Sequence, residues 1–292
     1  MIDVEVARTF LAVIETGTFF EASKKVHVTQ STVSMRIKNL EERLGQIVFE
    51  RSKSGARLTS AGHHFERYAR AMVRAWEQGK HQAGVPDRFD EILVIGGQYS
   101  LWSQLLTQWL ISLRSELPRV AFRAEVGTPL ALSHRLSEGL IDIAVMHQPR
   151  LRADIEVKHL MDDELILVTT DPDRGFEDRY MYVDWGPAFH EQHSHKLPDY
   201  LAVRTTVGLG FFGAPFLISA NAAGYMPRRL VTPHLEEGYL YEAKDAPIFP
   251  YPLYVAYQTD TASEVYEQAL DLLYEVTNEY QKGDLEAPFW AE

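Results

Sequence analysis

Apolar residues in the first sixty positions fall three and four apart, in runs closed by residues that end helices. Between residues 4 and 15 they stand at Val6, Ala7, Phe10, Val13 and Ile14, the stripe of an amphipathic helix. Gly17 suits its end, because glycine enters the left-handed conformation of a helix C-terminus without steric cost. Thr18-Phe19-Phe20-Glu21 has the form of a capping box. The Thr18 hydroxyl would accept from an early helix N–H, and the Glu21 carboxylate from the Thr18 N–H. A short second helix to about Lys25 is predicted. His27-Val28-Thr29 interrupts it, and Thr29 is placed to cap a third helix from Gln30 to about Leu44, closed by Gly45.

Two short helices joined by a tight turn form a helix-turn-helix. In the third helix Val33, Ile37, Leu40 and Leu44 point inward, and Ala22 leaves room for a close crossing. Gln30, Ser31, Thr32, Ser34, Arg36 and Lys38 form the polar side. The early residues suit base edges and phosphates, and Arg36 and Lys38 reach the backbone of a duplex. Val48–Arg51 and Ala56–Thr59 flank Ser54-Gly55 as a small hairpin. Its Arg51, Lys53 and Arg57 would lie along flanking phosphates or the minor groove. The same spacing also fits a three-helix protein-interaction module with a solvated polar face.

The stretch TFLAVIETGTFFEASKKVHVTQSTVSMRIKNLEERLGQIVFERSKSGARLTSAG, residues 9–62, resembles the LysR-type DNA-binding domain almost position for position. Phe10-Leu11, Gly17-Thr18-Phe19, Ala22, Val28-Thr29-Gln30-Ser31, Val33-Ser34, Ile37, Leu40-Glu41 and Leu44-Gly45 carry the likeness. It continues through Phe49-Glu50-Arg51, Leu58-Thr59 and Ala61-Gly62. The resemblance implies a bacterial transcriptional regulator: a winged helix-turn-helix, a linker helix that pairs antiparallel with a second copy, and a two-lobed effector domain like the periplasmic binding proteins. Double-stranded DNA and further copies of the chain, as homodimer or homotetramer, are the partners it implies, with RNA polymerase left open.

From Ser60 to about Gln82 the residues Ala61, Phe65, Tyr68, Met72 and Ala75/Trp76 recur three and four apart, a seam suited to another helix. Arg67, Arg70 and Arg74 would occupy the other side. Packing on its own domain is the competing reading. Gly79, Gly84 and Pro86 mark a hinge.

Beyond residue 90 short apolar runs alternate with helical patterns, which predicts an α/β fold with parallel sheet. Strands are expected at Ile92–Ile95, Val120–Val126, Asp142–Met146, Leu165–Thr170, Tyr180–Asp184, Leu201–Thr205 and Leu253–Tyr257. Helices are expected near Ser100–Leu117, Leu130–Glu138, the His-rich segment, Leu209–Ala222 and Ser263–Tyr280. The domains expected are 1–59, a winged helix-turn-helix; 60–84, the linker helix; and 90–292, the effector domain. Its first lobe would take about 90–162 and 259–292, its second about 163–258. Two such lobes bring strand ends and helix N-termini around one cleft. The candidate effector contacts are Ser100, Ser103, Thr128, His147, Gln148, Thr205 and Thr206, each of which also reads as an ordinary cap. Asn221–Pro227 resembles the family's second-lobe motif, with Ala222-Ala223-Gly224 where many members carry a glycine pair. SLWSQLLTQWL (100–110) and DWGPAFHEQH (184–193) resemble the branch containing the enterobacterial repressor of the flagellar master operon.

Charge supports a nucleic-acid partner only once it is divided along the chain. The net charge is −12, but residues 1–84 carry +4 and residues 85–292 carry −16. With no cysteine among 292 residues, disulfides, thiolate metal sites and thiol switches are excluded, which suits a reducing cytoplasm. The start lacks the basic and apolar stretches of a signal peptide, and no apolar run approaches the ~20 residues of a membrane helix. His190, His193 and His195 with Glu191 invite a metal, but Trp185, Phe189 and His193 also fall on one packing face of a helix. His63-His64 point to different faces of theirs. No catalytic residue, metal or cofactor is expected, since GxSxG, HExxH and phosphate-loop signatures are absent. The expected ligand is an unidentified small-molecule effector. A solute-binding receptor and an α/β enzyme are the readings from other classes.

Overall fold

The computed structural model describes residues 3–52, 55–152, 154–200, 203–208, 213–259 and 263–282. Contacts divide the chain into two units: Met1–Val94 with Arg119–Arg123 and His134–Asp142, and Ile95–Pro118 with Ala124–Ser133 and Ile143–Glu292.

In the first unit, helix α1 spans Val4–Thr16, α2 Phe19–Lys25 and α3 Gln30–Leu44. Asp3, Thr18 and Thr29 cap them through Val6 N, Glu21 N and Thr32 N, and Gly17 and Gly45 close α1 and α3 at positive φ. Only half of the expected capping box forms: the Glu21 carboxylate accepts from Lys24 Nζ at 2.8 Å. An i,i+3 ammonium on the same exposed face is the stronger partner for a carboxylate than a neutral amide. Phe10, Val33, Ile37 and Leu40 are fully buried, and the Phe10 ring lies 5.1 Å from both Phe49 and Phe65.

Strands β1 (Phe49–Ser52) and β2 (Gly55–Leu58) form the wing hairpin, pairing Phe49 with Leu58 and Ser52 with Gly55. Two side chains weld it to the helices. Glu41 of α3 accepts from Val48 N at 2.9 Å and Phe49 N at 3.3 Å. Thr59 donates to Ile47 O at 2.7 Å while accepting from Gly62 N.

Helix α4 (Ser60–Ala83) departs from the expected single seam. Gly62, Ala69, Val73, Arg74 and Glu77 are buried, and Phe65 and Met72 pack on the core of their own unit. Tyr68 and Trp76 stay 54% and 52% exposed. The periodicity therefore served two faces, one turned to α1 and one left open. Arg74, expected on the solvent side, is 7% exposed, its backbone lying against Gly139. Gly79 lies inside the helix, and the chain leaves it at Gly84.

The remaining elements in chain order are β3 (Glu91–Gly97), a 3-10 turn (Tyr99–Leu101), α5 (Leu105–Glu116), β4 (Val120–Val126), α6 (Pro129–Ser137), β5 (Ile143–His147), β6 (Ile155–Met161) and β7 (Glu164–Thr169). They continue as β8 (Tyr182–Val183), α7 (Pro187–Lys196), β9 (Thr206–Val207), α8 (Gly213–Ala220), β10 (Ala223–Pro227), α9 (Arg228–Glu236), β11 (Tyr241–Glu242), β12 (Phe249–Pro250), β13 (Leu253–Gln258) and α10 (Glu264–Lys282). The first lobe is a five-stranded sheet in the order β4-β3-β5-β13-β6. Strands β3 and β5 run parallel, as alternation predicted, but β13 inserts antiparallel between β5 and β6, so the sheet is mixed. The lobe boundary moves with it: residues 253–258, expected in the second lobe, belong to the first. The second lobe is built on β7, which pairs antiparallel with β10, β11 and β12, and on the parallel pair β8 and β9. The chain passes between the lobes twice, at Met161–Glu164 and Pro250–Leu253, and Tyr251 N donates to Asp163 O at 2.7 Å where the crossings meet. The strand expected at 201–205 lies at Thr206–Val207, and the helix expected from Leu209 begins at Gly213, with residues 209–212 outside those described.

Two glycines of the first unit give a contrast in kind. A Cβ at Gly62 would lie 2.3 Å from Val48 O, against backbone that the wing cannot move. At Gly17 it would meet nothing within 4 Å, but φ is 72°. Gly62→Ala is expected to cost about 1–3 kcal/mol or more through overpacking. Gly17→Ala is expected to cost ~1–2 kcal/mol through the left-handed backbone alone. Urea unfolding of both variants checks this, with the larger loss at Gly62.

Candidate functional site

The outer face of α3 and the wing form one candidate surface. Gln30, Ser31 and Lys38 are exposed, and Thr32 and Ser34 are half-buried. The Thr29 hydroxyl lies 2.8 Å from both the Ser31 and the Thr32 hydroxyls. Lys38 is 74% exposed, 3.6 Å from Glu42 one turn on. Arg51 carries its guanidinium 4.1 Å over the Phe19 ring, which points the wing cation along the same side. Lys53 lies outside the described residues. Arg36 lies differently from these. It borders the buried Val33–Ile37 stripe, and its guanidinium turns back to donate to Thr9 Oγ1 of α1 at 2.9 Å, with Glu5 at 3.9 Å. It braces α3 against α1 instead of reaching outward.

The second unit holds a cleft of about 560 Å³ between its lobes. Ser100, Thr128, His147 and Gln148, four of the seven sequence candidates, line it. Three do not. The helix expected from Ser100 breaks into the 3-10 turn and α5, leaving the Ser103 hydroxyl to donate back to Ser100 O at 3.2 Å. Thr205 and Thr206 fall short because their strand sits later than expected; Thr205 O accepts from Tyr182 N, and Gly208 is the residue that reaches the cleft. The sequence reading missed Gln98, Arg150, Asp184, Trp185 and Tyr251 in the lining. Asp184 and Trp185 lie in the DWGP segment singled out for its resemblance, whereas Tyr251 sits in a crossing that no periodicity marks.

The floor is a fixed polar network. His147 is 1% exposed, and its ring stacks on Tyr251 with centroids 3.7 Å apart. Its Nδ1 lies 3.0 Å from Pro252 O. A carbonyl only accepts, so Nδ1 carries the proton and Nε2 is an acceptor, with no partner among the described residues. Burial, then the nearby Arg229 guanidinium, push the His147 pKa down to about 3, so the ring is neutral. The Gln98 side chain accepts from His147 N and bonds Tyr251.

Behind this floor Arg229, in the first turn of α9, pairs with Asp163 at 2.7 Å, the side chains 7% and 4% exposed. Arg229 also donates to Ser100 O at 3.1 Å and Ser100 Oγ at 3.4 Å. Burial lifts the Asp163 carboxyl above its ordinary value, against the opposing pull of Arg229. Two of the histidines weighed for a metal have tyrosine partners: His193 Nε2 lies 2.6 Å from the Tyr180 hydroxyl, and His190 Nδ1 lies 3.1 Å from that of Tyr182.

Residues 5–63 match the family described as "Bacterial regulatory helix-turn-helix protein, lysR family", and residues 87–173 match the "LysR substrate binding domain". The HTH-type transcriptional regulator HdfR of Salmonella schwarzengrund is 29% identical over 277 residues, covering 93% of this chain and 97% of the relative. Among solved structures, ArgP from Mycobacterium tuberculosis aligns with a TM-score of 0.57 at 20% identity, covering 95% of this chain and 98% of its own. Full-length LysG from Corynebacterium glutamicum with bound effector Arg aligns at 0.59 and 19% identity, with coverage of 95% and 98%. At these identities the structural likeness shows the fold.

Two outcomes are expected at the floor. Asp163→Ala or Arg229→Ala alone leaves an uncompensated buried charge and should cost about 3–5 kcal/mol, while Asp163→Leu with Arg229→Met should recover most of it. Calorimetry of the two single variants and the double variant tests this. A histidine whose folded pKa is depressed contributes stability that is present above its unfolded value, ~6.5, and is lost as pH falls toward about 3. The chain should therefore lose ~1.4 kcal/mol per pH unit below pH ~6.5 on account of His147. His147→Gln should flatten that limb of the stability–pH curve.

Proposed function

The chain belongs to the LysR family of transcriptional regulators, with a helix-turn-helix DNA-binding domain and an effector-binding domain, and from that premise we propose how the two parts divide the work. The α3 face carries the reading of DNA through Gln30, Ser31, Thr32 and Ser34. Lys38 and Arg51 neutralise phosphates, and Arg36 acts from behind by holding α3 in register. Cations on phosphates supply affinity and position, whereas hydroxyls and amides near base edges supply sequence preference. The open stripe with Tyr68 and Trp76 on α4 is where a second copy pairs, because two linked readers gain from binding two half-sites. No helix among the described residues is long and apolar enough to cross a membrane. The cytoplasm is the compartment assigned, and the protein acts by binding, not catalysis.

The effector is a small polar molecule that offers a hydrogen-bond donor to His147 Nε2, reaches Ser100 and Thr128 on the same lobe, and faces Asp184 and Trp185 of the second. The observation carrying this is the buried, neutral His147 in the cleft lining, whose Nε2 is an acceptor without a partner among the described residues. Asp184 at the rim and the −16 carried by residues 85–292 disfavour a highly charged anion. The ligand regulates only as far as it binds one arrangement of the lobes better than another.

A fluorescence-anisotropy titration on DNA from upstream of the protein's own gene, at two salt concentrations, tests both halves. Tight, salt-sensitive binding is expected. Lys38→Ala should lower the slope of log K against log salt by about one. Arg36→Ala should weaken binding with the slope unchanged. Equal binding to random DNA would count against the upstream site as operator. Isothermal titration with a panel of small metabolites should find polar, donor-bearing binders lost in His147→Phe; a panel yielding only apolar binders would remove the effector reading.

A further inference from the structure

The DNA-reading face of α3 contains a side chain that its polar role does not explain. At ~100° per residue, Ser31, Met35, Lys38 and Glu42 lie opposite the buried Val33, Ile37 and Leu40. Met35 therefore stands at the centre of the outward face, and it is 57% exposed. Its neighbours there are the exposed Ser31, the half-buried Ser34 and the exposed Lys38. Toward the wing it borders an open groove of about 480 Å³ that also takes in Ile47 and Arg51. A large apolar side chain on that position has no packing task in its own unit. It gains nothing from phosphate, and it exposes apolar surface next to the residues that meet DNA.

The cations around it limit what this face reads. Arg36 is held by Thr9, Lys38 has Glu42 one turn away, and Arg51 is on the wing over Phe19. The first two turns of α3 thus present one amide, Gln30, three hydroxyls, Ser31, Thr32 and Ser34, and one apolar group. A guanine read by a two-toothed arginine needs a free guanidinium there, and α3 supplies none in those turns. An amide suits adenine, and the major-groove feature that suits an apolar side chain is the C5-methyl of thymine. Methionine fits that contact, being unbranched and polarizable enough to follow a small convex group.

We propose that Met35 is a specificity-determining residue, packing on the C5-methyl of a thymine in each half-site and biasing the contacted step toward A·T pairs. The occupant follows from continuity with the DNA-binding surface and from Lys38 and Arg51 on either side of the groove. The inference rests on the DNA-reading role of α3, and its test separates the two.

The full chain first selects its preferred sites from random DNA. Each thymine in the selected half-site is then replaced in turn by uracil, which removes the methyl and keeps every hydrogen-bonding group. For the unaltered chain, one position per half-site should lose about fourfold in affinity, the equivalent of one buried methyl group at ~0.8 kcal/mol. Met35→Ala should bind thymine and uracil equally at that position, keeping the same salt slope. Met35→Leu should retain the discrimination. Because the side chain is exposed, both variants should unfold with the parent, and a melting curve checks it. A flat uracil scan for the parent, or a scan whose pattern survives Met35→Ala, overturns the proposal while leaving DNA reading intact. A chain that selects no sequence at all overturns the proposal together with the reading role of α3.

Discussion

Taking a carboxylate and a guanidinium out of water costs several kcal/mol for each, and Asp163 and Arg229 are both more than nine-tenths buried. Such a pair survives only where the chain can hold the two groups together. Asp163 sits on one crossing between the lobes, and its carbonyl accepts from Tyr251 N on the other, so a single residue ties both crossings. Arg229 meets it from the second lobe and donates also to Ser100 in the first. The turn bearing Ser100, the crossing bearing Tyr251 and the ring stacked on Tyr251 are therefore located by one ion pair. The same guanidinium adds to burial in keeping His147 neutral, so the constraint that places the floor of the cleft also sets its chemistry.

The DNA-reading unit solves a similar problem with backbone contacts. Its recognition helix must present a fixed face, and short helices cannot stiffen themselves. Glu41 binds the wing's first amides, Thr59 links the wing to the start of α4, and Gly62 lets that start pass against Val48 O. Arg36 adds a brace on the opposite flank. These contacts use the residues that a search for DNA contacts picks up as charged or polar.

How much of this was legible in the sequence depended on how local its cause was. Caps at Thr18 and Thr29 and the stops at Gly17 and Gly45 follow from short-range stereochemistry, and the first three helices fall where the pattern puts them. The same is true of β4, α6 and β5. Strand β13 was located but given to the wrong lobe, because a run of apolar residues records burial and not which sheet provides it. In the cleft, Ser100, Thr128, His147 and Gln148 were found from strand and helix ends. Thr205 and Thr206 were named but stop short of the lining, where Gly208 stands. Tyr251, Gln98 and Arg229 had no local signal, since their positions come from pairing across 49 residues or more of chain that only the fold brings together. Met35 was passed over for the opposite reason: a search for polar contacts discards the apolar residue on a polar face.

On the proposed reading of the cleft, the acceptor on His147 makes its selectivity asymmetric. A ligand that donates to Nε2 replaces one of its own hydrogen bonds to water with one to protein, a net gain of only ~0.5–1.5 kcal/mol. A ligand of the same shape without the donor covers the nitrogen and leaves it unpaired, at a cost of about 1–3 kcal/mol. Discrimination thus comes mainly from rejection, as in other sites built to bond a substrate hydroxyl or amine. A ring that protonated readily would lose this property, because an imidazolium offers Nε2 as a donor and would favour acceptors. Burial and the Arg229 charge keep it from doing so, against the opposing pull of the Pro252 carbonyl. On that reading the ion pair at the crossings reaches the choice of ligand through the protonation state of His147.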